Sequence, residues 1–297
     1  MDHEIEAVSK STVPGLLEKK LRGERITCLT AYDYPTARLV DEARLPTGEY
    51  AIDLVLVGDS LAQVVLGYDS TLPVTVTEML HHVRAVRRGL RRCLLVADMP
   101  YGAFHRSEDD TLANALRFIK EGGAEAVKIE GGERRAPLIG RLVEAEIPVM
   151  GHLGLTPQSV NTQGGYHLQG KNLESSERIL TDALALEEAG VFALVLEGIP
   201  RELAALITTR LRIPTIGIGA GPDCDGQILV LHDLLGFSYG TPAKFVRPYM
   251  DLKQTAGEAL GRFAEDVRAG GYPADQESYH WSRAVREQFE ERPARRR

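Results

Sequence analysis

The segment Leu94–Glu130, LLVADMPYGAFHRSEDDTLANALRFIKEGGAEAVKIE, contains two short apolar runs separated by an amphipathic stretch. The runs Leu94–Asp98 and Ala126–Ile129 are almost continuously apolar, which is typical of strands buried on both faces of a helix-covered parallel sheet. Between them, Asp110–Glu121 has the helical period of apolar residues, and Gly122 follows as a C-terminal stop. The segment therefore predicts a strand, a helix and a second strand parallel to the first.

The same alternation extends along most of the chain in both directions. The other predicted strands are Ile26–Ala31, Leu54–Gly58, Val149–His152, Ala193–Glu197 and Thr215–Ile218. Further predicted helices are Glu78–Arg88 with Thr77 as its N-cap, Glu177–Ala189 followed by Gly190, and Arg201–Leu211. Such alternation forms either a closed (β/α)₈ barrel or an open doubly wound sheet, and seven clear strands in a chain of this length favour closure. Two runs compete for the eighth strand, Ile228–Leu231 and Ala243–Val246.

Composition excludes several classes of protein. The chain has 297 residues, of which 43% are hydrophobic, and its 35 basic and 42 acidic residues give a net charge of −7. A nucleic-acid or anionic-membrane surface needs a concentrated basic face, which this balance argues against. The three cysteines have no disulfide or zinc spacing, and no secretory signal or membrane-spanning run is visible. We therefore expect a soluble, cytoplasmic protein.

Polar residues stand at the C-terminal ends of five consecutive predicted strands. They are Asp59 and Ser60, then Asp98, then Lys128 and Glu130, then His152, and then Glu197. Because the C-terminal ends of barrel strands converge on one face, these side chains should line one mouth. Four clustered carboxylates repel each other unless a cation or protons neutralise them, and oxygen ligands favour Mg²⁺ over zinc. Each residue taken alone is equally well explained as a helix cap or a structural residue, but that explanation would have to hold at all five strand ends.

A long polar loop, Thr156 to Glu174, follows the fifth predicted strand and contains Gly164, Gly165 and Tyr166. Loops of this length in compact domains are typical of active-site lids. We expect this loop to act as one.

Several ungapped blocks make the family resemblance specific. The chain resembles the ketopantoate hydroxymethyltransferases over roughly residues 15–275. The matching blocks are ITCLTAYDYPTA (26–37), LVGDSL (56–61), GYDSTLPVTV (67–76), LLVADMPY (94–101), VKIEGG (127–132), GHLGLTPQSVNTQGGYHLQGK (151–171), IPTIGIGAG (213–221), DGQILVLHDLLG (225–236) and AKFV (243–246).

The resemblance implies a (β/α)₈ TIM barrel of the phosphoenolpyruvate/pyruvate superfamily type, assembled as a cytoplasmic homodecamer. It implies hydroxymethyl transfer from 5,10-methylenetetrahydrofolate to 3-methyl-2-oxobutanoate through a Mg²⁺-stabilised enolate, giving 2-dehydropantoate for pantothenate synthesis. Matched to this sequence, the resemblance implies that Asp59, Asp98 and Glu130 hold the metal and that Glu197 accepts the proton. The substrate contacts it implies are Asp59, Ser60, Asp98, Lys128 and His152.

Two segments depart from the family pattern, the longer turn Leu45–Asp53 and the extension beyond Tyr279. We expect residues 1–275 to form a single barrel domain with an N-terminal lead-in, and residues 276–297 to form a charged, partly disordered tail. In that tail, Ser282–Glu291 is predicted as a helix and Pro293–Arg297 as disordered.

Two other functions are compatible with the residues at the strand ends. The first is a related Mg²⁺-dependent 2-oxo-acid enzyme of the isocitrate lyase or phosphonopyruvate type, and the second is a non-catalytic metabolite-binding barrel. The lyase reading is weakened because no K-x-C-G-H-type segment supplies a catalytic cysteine.

Overall fold

A computed structural model describes residues 10–292, which divide into two compact units, residues 10–249 and 250–292. The first unit contains a closed barrel in which each strand pairs in parallel with the next and the eighth pairs with the first. The strands are β1 (Ile26–Thr30), β2 (Leu54–Val57), β3 (Leu94–Asp98), β4 (Ala126–Glu130), β5 (Val149–Gly154), β6 (Ala193–Glu197), β7 (Thr215–Ile218) and β8 (Gly226–Leu229). The predicted (β/α)₈ barrel is confirmed, and the open sheet is excluded.

The eighth strand overlaps the first of the two predicted candidates. Gly226–Leu229 pairs with β7 on one side and with β1 on the other, where Ile26 lies opposite Gly226. The second candidate, Ala243–Val246, is wrong, because that segment forms a turn.

Helices follow most of the strands. They are α1 (Val13–Leu21), α2 (Tyr34–Glu42), α3 (Leu61–Val64), α4 (Val76–Gly89), α5 (Glu108–Arg117), α6 (Ala136–Glu144), α7 (Val160–Gln163), α8 (Leu173–Glu188), α9 (Arg201–Arg210), α10 (Leu231–Leu234), α11 (Leu252–Ala269) and α12 (Arg283–Glu290). A π-helical turn covers Phe118–Gly122, and 3₁₀ turns cover Glu133–Arg135, Pro157–Ser159 and Asp275–Glu277.

Two helix starts differ from the prediction for reasons of capping. Thr75, not Thr77, caps α4, because its hydroxyl accepts from Glu78 N while the Glu78 carboxylate accepts from Thr75 N, a capping box. Asn172 forms the equivalent box with Ser175, so α8 begins at Leu173, before the predicted start. The loop between Thr156 and this helix is correspondingly shorter and contains the short helix α7.

Two apolar layers hold the barrel together. Inward side chains of every strand fill its interior, among them Leu54, Leu94, Ala126 and Ile216. Outward side chains pack against the helices in a second, larger cluster. Within the longer turn Leu45–Asp53, Tyr50 forms an antiparallel bridge with Arg44, and the Arg44 guanidinium lies 4.1 Å from the Tyr50 ring centroid.

The second unit contains α11 and α12. The helix predicted over Ser282–Glu291 is present, with Ser282 as its N-cap. Residues Pro293–Arg297, predicted to be disordered, lie outside the described residues. The predicted domain boundaries stay a prediction. Of the described helices, none has the length and apolarity needed to cross a membrane.

Candidate active site

The fold brings the predicted strand-end residues together at the C-terminal mouth of the barrel. Asp59 and Ser60 follow β2, Asp98 ends β3, and Lys128 and Glu130 lie on β4. The strand register places Lys128 opposite Asp98, His152 of β5 opposite Glu130, and Glu197 of β6 opposite Gly154. Five of these seven side chains therefore lie on the adjacent strands β3 to β6. Asp59 follows the end of β2, and Ser60 stands at the N-cap position of the short helix α3.

A chain of charged groups runs across the mouth from β3 to β6. Lys128 Nζ lies 2.8 Å from Asp98 Oδ1 and 3.2 Å from His152 Nδ1. His152 Nδ1 is also 3.3 Å from Glu130 Oε1, and its Nε2 is 3.2 Å from Glu197 Oε2. The Glu197 side chain is 16% exposed, whereas that of His152 is only 3% exposed. Glu197 is therefore the member of this pair that solvent and substrate can reach.

Gln158, which the sequence analysis did not select, links the carboxylates on the other side. Its Nε2 donates to Asp59 Oδ2 at 2.9 Å and to the Met99 carbonyl oxygen at 3.0 Å, and its backbone N–H donates to Glu130 Oε2 at 3.0 Å. Asp59 N in turn donates to Asp98 Oδ2 at 2.9 Å. Gln158 belongs to a loop, so strand ends could not point to it; the one available signal was its position in the matched block GHLGLTPQ.

Tyr32, also not predicted, is the partner of Ser60. The Tyr32 hydroxyl lies 2.8 Å from Ser60 Oγ, and the ring is buried against the end of β1. Burial raises the pKa of the Tyr32 phenol, and the nearby carboxylates of Asp98 and Asp59 raise it further. Tyr32 therefore stays protonated and can donate its hydrogen bond to Ser60.

Helix capping does not explain the site residues. Ser60 stands at the N-cap position of α3, yet its side chain makes no capping hydrogen bond. The helices that follow β3 and β6 have Ser107 and Pro200 as their N-caps. Since neither Asp98 nor Glu197 caps a helix, the structural alternative raised by the sequence loses its main support.

Burial and mutual repulsion perturb the acids of the site. Burial raises the pKa of Asp59 well above its usual value, and the charges of Asp98 and Glu130 raise it further. Burial also raises the pKa of Asp98, against the opposing effect of Lys128. For Glu130 the effect of burial is outweighed by His152, Lys128 and the Gln158 N–H, which together lower its pKa.

These carboxylates raise the pKa of the two basic groups of the site. Burial lowers the pKa of Lys128, but the charges of Asp98, Glu130 and Asp59 outweigh it and the net pKa is raised. Burial and Lys128 both lower the pKa of His152, yet contacts with Glu130 and Glu197 raise it to about 9. Four carboxylates thus share two cationic groups, which leaves an excess of negative charge.

The donor set fits a magnesium ion. Within residues 10–292, no three His, Cys, Asp or Glu side chains converge as a complete metal cage would require. Mg²⁺ is usually bound by one or two carboxylates, with water and substrate oxygens completing its shell. Asp59 and Asp98 supply two such carboxylates, and the buried Gln158 Oε1 beside them has no hydrogen-bond partner among the described residues. A divalent cation would offset the excess negative charge and use that free oxygen.

A tight turn fixes the backbone that carries Glu197. Gly154 ends β5 with φ +93°, and a Cβ atom there would collide with the Glu197 carbonyl oxygen. The same oxygen accepts from Leu155 N at 2.8 Å. Only glycine allows this approach of β5 to β6, which holds Glu197 against His152.

The glycine-rich loop reaches toward the same mouth. Burial raises the pKa of the Tyr166 phenol, and so do the charges of Asp59, Glu130 and Glu197. Tyr166 follows Gly164 and Gly165, both with positive φ, and is 48% exposed. The role of this loop as a lid stays a prediction.

Comparisons with known proteins identify the family of the chain. Residues 10–275 match the family model described as ketopantoate hydroxymethyltransferase. The chain is 61% identical over 272 residues to the 3-methyl-2-oxobutanoate hydroxymethyltransferase of Koribacter versatilis, covering 92% of this chain and 90% of that one. It is 52% identical to the protein of the same name from Carboxydothermus hydrogenoformans, over 92% of this chain and 96% of that one.

Similar solved structures support the fold at much lower identity. Phosphonopyruvate hydrolase matches with a TM-score of 0.58 and 14% identity, covering 94% of this chain and 95% of that one. 2,3-Dimethylmalate lyase, described as a PEP mutase/isocitrate lyase superfamily member, matches with a TM-score of 0.55 and 16% identity, covering 94% and 97%. At these identities the likeness extends to the barrel alone, whereas the relatives at 52–61% identity over most of the chain are hydroxymethyltransferases, so the lyase alternative is not favoured. This chain belongs to the ketopantoate hydroxymethyltransferase family.

Proposed function

We propose that this protein transfers a hydroxymethyl group from 5,10-methylenetetrahydrofolate to 3-methyl-2-oxobutanoate and so forms 2-dehydropantoate. The observation that carries the proposal is the partly exposed Glu197 carboxylate, 3.2 Å from His152 Nε2, while Nδ1 of the same imidazole lies 3.2 Å from the Lys128 Nζ that pairs with Asp98. Glu197 can act as a base at one side of the site, and Lys128 provides a cation at the other. This arrangement suits a substrate that loses a proton and also carries a carboxylate.

Glu197 accepts the proton from C3 of the 2-oxo acid. The His152 imidazolium orients the Glu197 carboxylate and lies beside the reacting carbon. Ser60, held by Tyr32, donates to a substrate oxygen, and Lys128 offsets the negative charge of the substrate. The carbanion equivalent forms a bond to the methylene carbon of the folate, both carbon–nitrogen bonds to that carbon break, and water supplies the hydroxyl oxygen. The two folate nitrogens take up two protons, one equivalent to the proton that C3 loses to Glu197 and one from the water, so tetrahydrofolate leaves with no oxidation or reduction.

Mg²⁺ is the proposed cofactor. Asp59 and Asp98 would hold it directly and Glu130 through a water molecule. When bound, the ion supplies Lewis-acid polarisation of the 2-oxo group. Asp59 and Asp98 thereby also contact the substrate indirectly. Assembly as a homodecamer and location in the cytoplasm, which the family resemblance implies, stay predictions.

Proton exchange at C3 tests the proposal. Purified protein is incubated with 3-methyl-2-oxobutanoate and Mg²⁺ in D₂O, and the C3–H signal is followed by NMR without and then with methylenetetrahydrofolate. We expect exchange without folate, product with folate, and a loss of about 10²- to 10⁴-fold in both for Glu197→Gln. The matched control is Glu188→Gln, which changes an exposed residue of α8 and should behave as the wild type.

The possible outcomes separate the candidate functions. Metal-dependent exchange without any folate-dependent product would favour the related 2-oxo-acid enzyme. A folded protein that binds Mg²⁺ but gives neither exchange nor product would leave a metabolite-binding barrel.

A further inference from the structure

Four side chains at the rim of the barrel mouth have no part in the chemistry above. Tyr101, Phe104 and His105 lie on the loop after β3, and Arg135 lies in the turn after β4. We call these four residues the rim cluster. Both loops leave strands whose ends carry site residues, Asp98 and Glu130.

Arg135 is held in a defined position next to the site. Its Cζ lies 5.0 Å from the centroid of the buried Phe104 ring, and its Nη1 donates to the Phe104 carbonyl oxygen at 3.3 Å. Gly131, directly after Glu130, has φ +118°, and a Cβ atom there would come within 2.9 Å of Arg135 Cγ. The stem of the arginine therefore occupies the space that a side chain at residue 131 would need.

The charge of Arg135 has no counter-charge in the part of the chain that the structure describes. None of the ion pairs found among residues 10–292 includes Arg135, whereas Arg84 and Arg117 both pair with Glu121. Burial lowers the pKa of the Arg135 guanidinium, and no carboxylate among the described residues offsets this effect. A planar guanidinium with free N–H groups is suited to bidentate binding of a carboxylate.

The aromatic members of the cluster lie beside this charge, with the His105 ring tilted by 51° to Tyr101 and by 36° to Phe104. The His105 ring lies 4.7 Å from Tyr101 and 4.3 Å from Phe104, measured between centroids. Gly102 N donates to His105 Nδ1 at 3.2 Å, and Asn114 Nδ2 donates to the Ala103 carbonyl oxygen at 2.9 Å, so the loop is anchored. Tyr101 is 49% exposed, so its ring is available for contact.

We propose that the rim cluster binds the folate co-substrate, with Arg135 on a carboxylate of its glutamyl tail and the rings of Tyr101 and His105 against its aromatic part. The inference rests on the proposed function, because that function brings an aromatic ligand with an anionic tail to this mouth. The neutral form of His105 supports it, since burial and the Arg135 charge lower the pKa of His105 and leave an uncharged ring for stacking.

Kinetics with two one-carbon donors test the assignment of Arg135. The variant R135Q is compared with wild type using methylenetetrahydrofolate and methylenetetrahydropteroate, which lacks the glutamate. We expect KM for the folate to rise by about 10- to 100-fold in R135Q, with little change for the pteroate form. R134Q is the matched control, because Arg134 is the exposed neighbour, and it should behave as the wild type. Tetrahydrofolate binding, measured by calorimetry, should weaken in R135Q by the same factor as KM rises.

The rings are tested separately. Y101S should raise KM for both donors by about fivefold or more, whereas Y101F should not, because it keeps the ring. Equal effects of R135Q on both donors, or none on either, would overturn the assignment of Arg135 to the tail. C3 exchange without folate should still be observed in R135Q; if wild type itself shows no exchange, the proposed function fails independently of this inference.

Discussion

The charge state of His152 is the most direct test of the electrostatics at this site. Its Nδ1 lies 3.2 Å from Lys128 Nζ and 3.3 Å from Glu130 Oε1, so two hydrogen-bond patterns compete. A neutral imidazole would accept from the lysine, whereas an imidazolium would donate to Glu130 and, through Nε2, to Glu197. Lys128 is already paired with Asp98, so we expect the carboxylates of Glu130 and Glu197 to decide the outcome and to raise the pKa of His152 to about 9.

The effect on stability follows from the gap between this pKa and the ordinary value of 6.5. A group whose pKa is raised by folding binds its proton more tightly in the folded state. It therefore stabilises that state fully below pH 6.5, and the contribution is lost as the pH rises through 9. The gap corresponds to about 3 kcal/mol of unfolding free energy. This loss should be measurable for the metal-free protein between pH 6 and pH 9.5.

The measurement is an NMR titration of labelled histidine together with urea unfolding at several pH values. In Glu197→Gln the pKa of His152 should fall by about one to three pH units, because one of its two carboxylate partners becomes neutral. In His152→Gln the loss of unfolding free energy between pH 7 and pH 9.5 should be smaller than in the wild type, because the group that titrates is gone. In His81→Gln, which changes an exposed histidine, this loss should equal that of the wild type. If His152 titrates at or below 6.5 in the wild type, the lysine contact prevails and the reasoning is wrong.

Three further predictions follow from the same contacts. Gln158→Ala removes the donors to Asp59 and the Met99 carbonyl oxygen and should weaken Mg²⁺ binding by about 10- to 100-fold in calorimetry, while Gln254→Ala in α11 should leave it unchanged. Lys128→Met leaves Asp98 buried without its cation and should lower the unfolding free energy by about 3 to 5 kcal/mol at pH 8. The loss should be smaller at pH 5, because the Asp98 carboxyl, whose pKa is raised, can take up a proton there. Equal losses at both pH values would refute this prediction. Burial raises the pKa of the three thiols, those of Cys28, Cys93 and Cys224. The native protein should therefore not react with a thiol reagent at pH 8, and reaction before unfolding would contradict this prediction.

The sequence predicted the barrel because its strands are buried on both faces. Continuous apolar runs such as Leu94–Asp98 cannot belong to a half-exposed sheet, and each gave a strand within two residues of its predicted ends. The eighth strand was ambiguous because Gly226–Leu229 contains an exposed glutamine and a glycine. Its place depends on pairing with β1, which is 200 residues away in the chain.

The site was predictable to the extent that strands deliver its residues. The strand-end rule located the carboxylates, Lys128, His152 and Ser60, because parallel strands share one direction. It could not locate Gln158, whose position depends on the 3₁₀ turn after β5, or Arg135, whose side chain is placed by Phe104 and a glycine. The cap at Thr75 could have been predicted, because Thr75 and Glu78 have the spacing of a capping box.

The placement of charge within the barrel separates what holds the fold from what serves function. The interior below the mouth is filled by apolar side chains from every strand, as in the packed cores of other barrels of this kind. The layer above it buries Asp59, Asp98, Lys128, Glu130 and His152, although burying charges costs several kcal/mol each before pairing. Apolar residues of similar volume would often stabilise such positions as well or better. A set of charges that the fold does not need, concentrated where all eight strands end, is the mark of a site kept for chemistry.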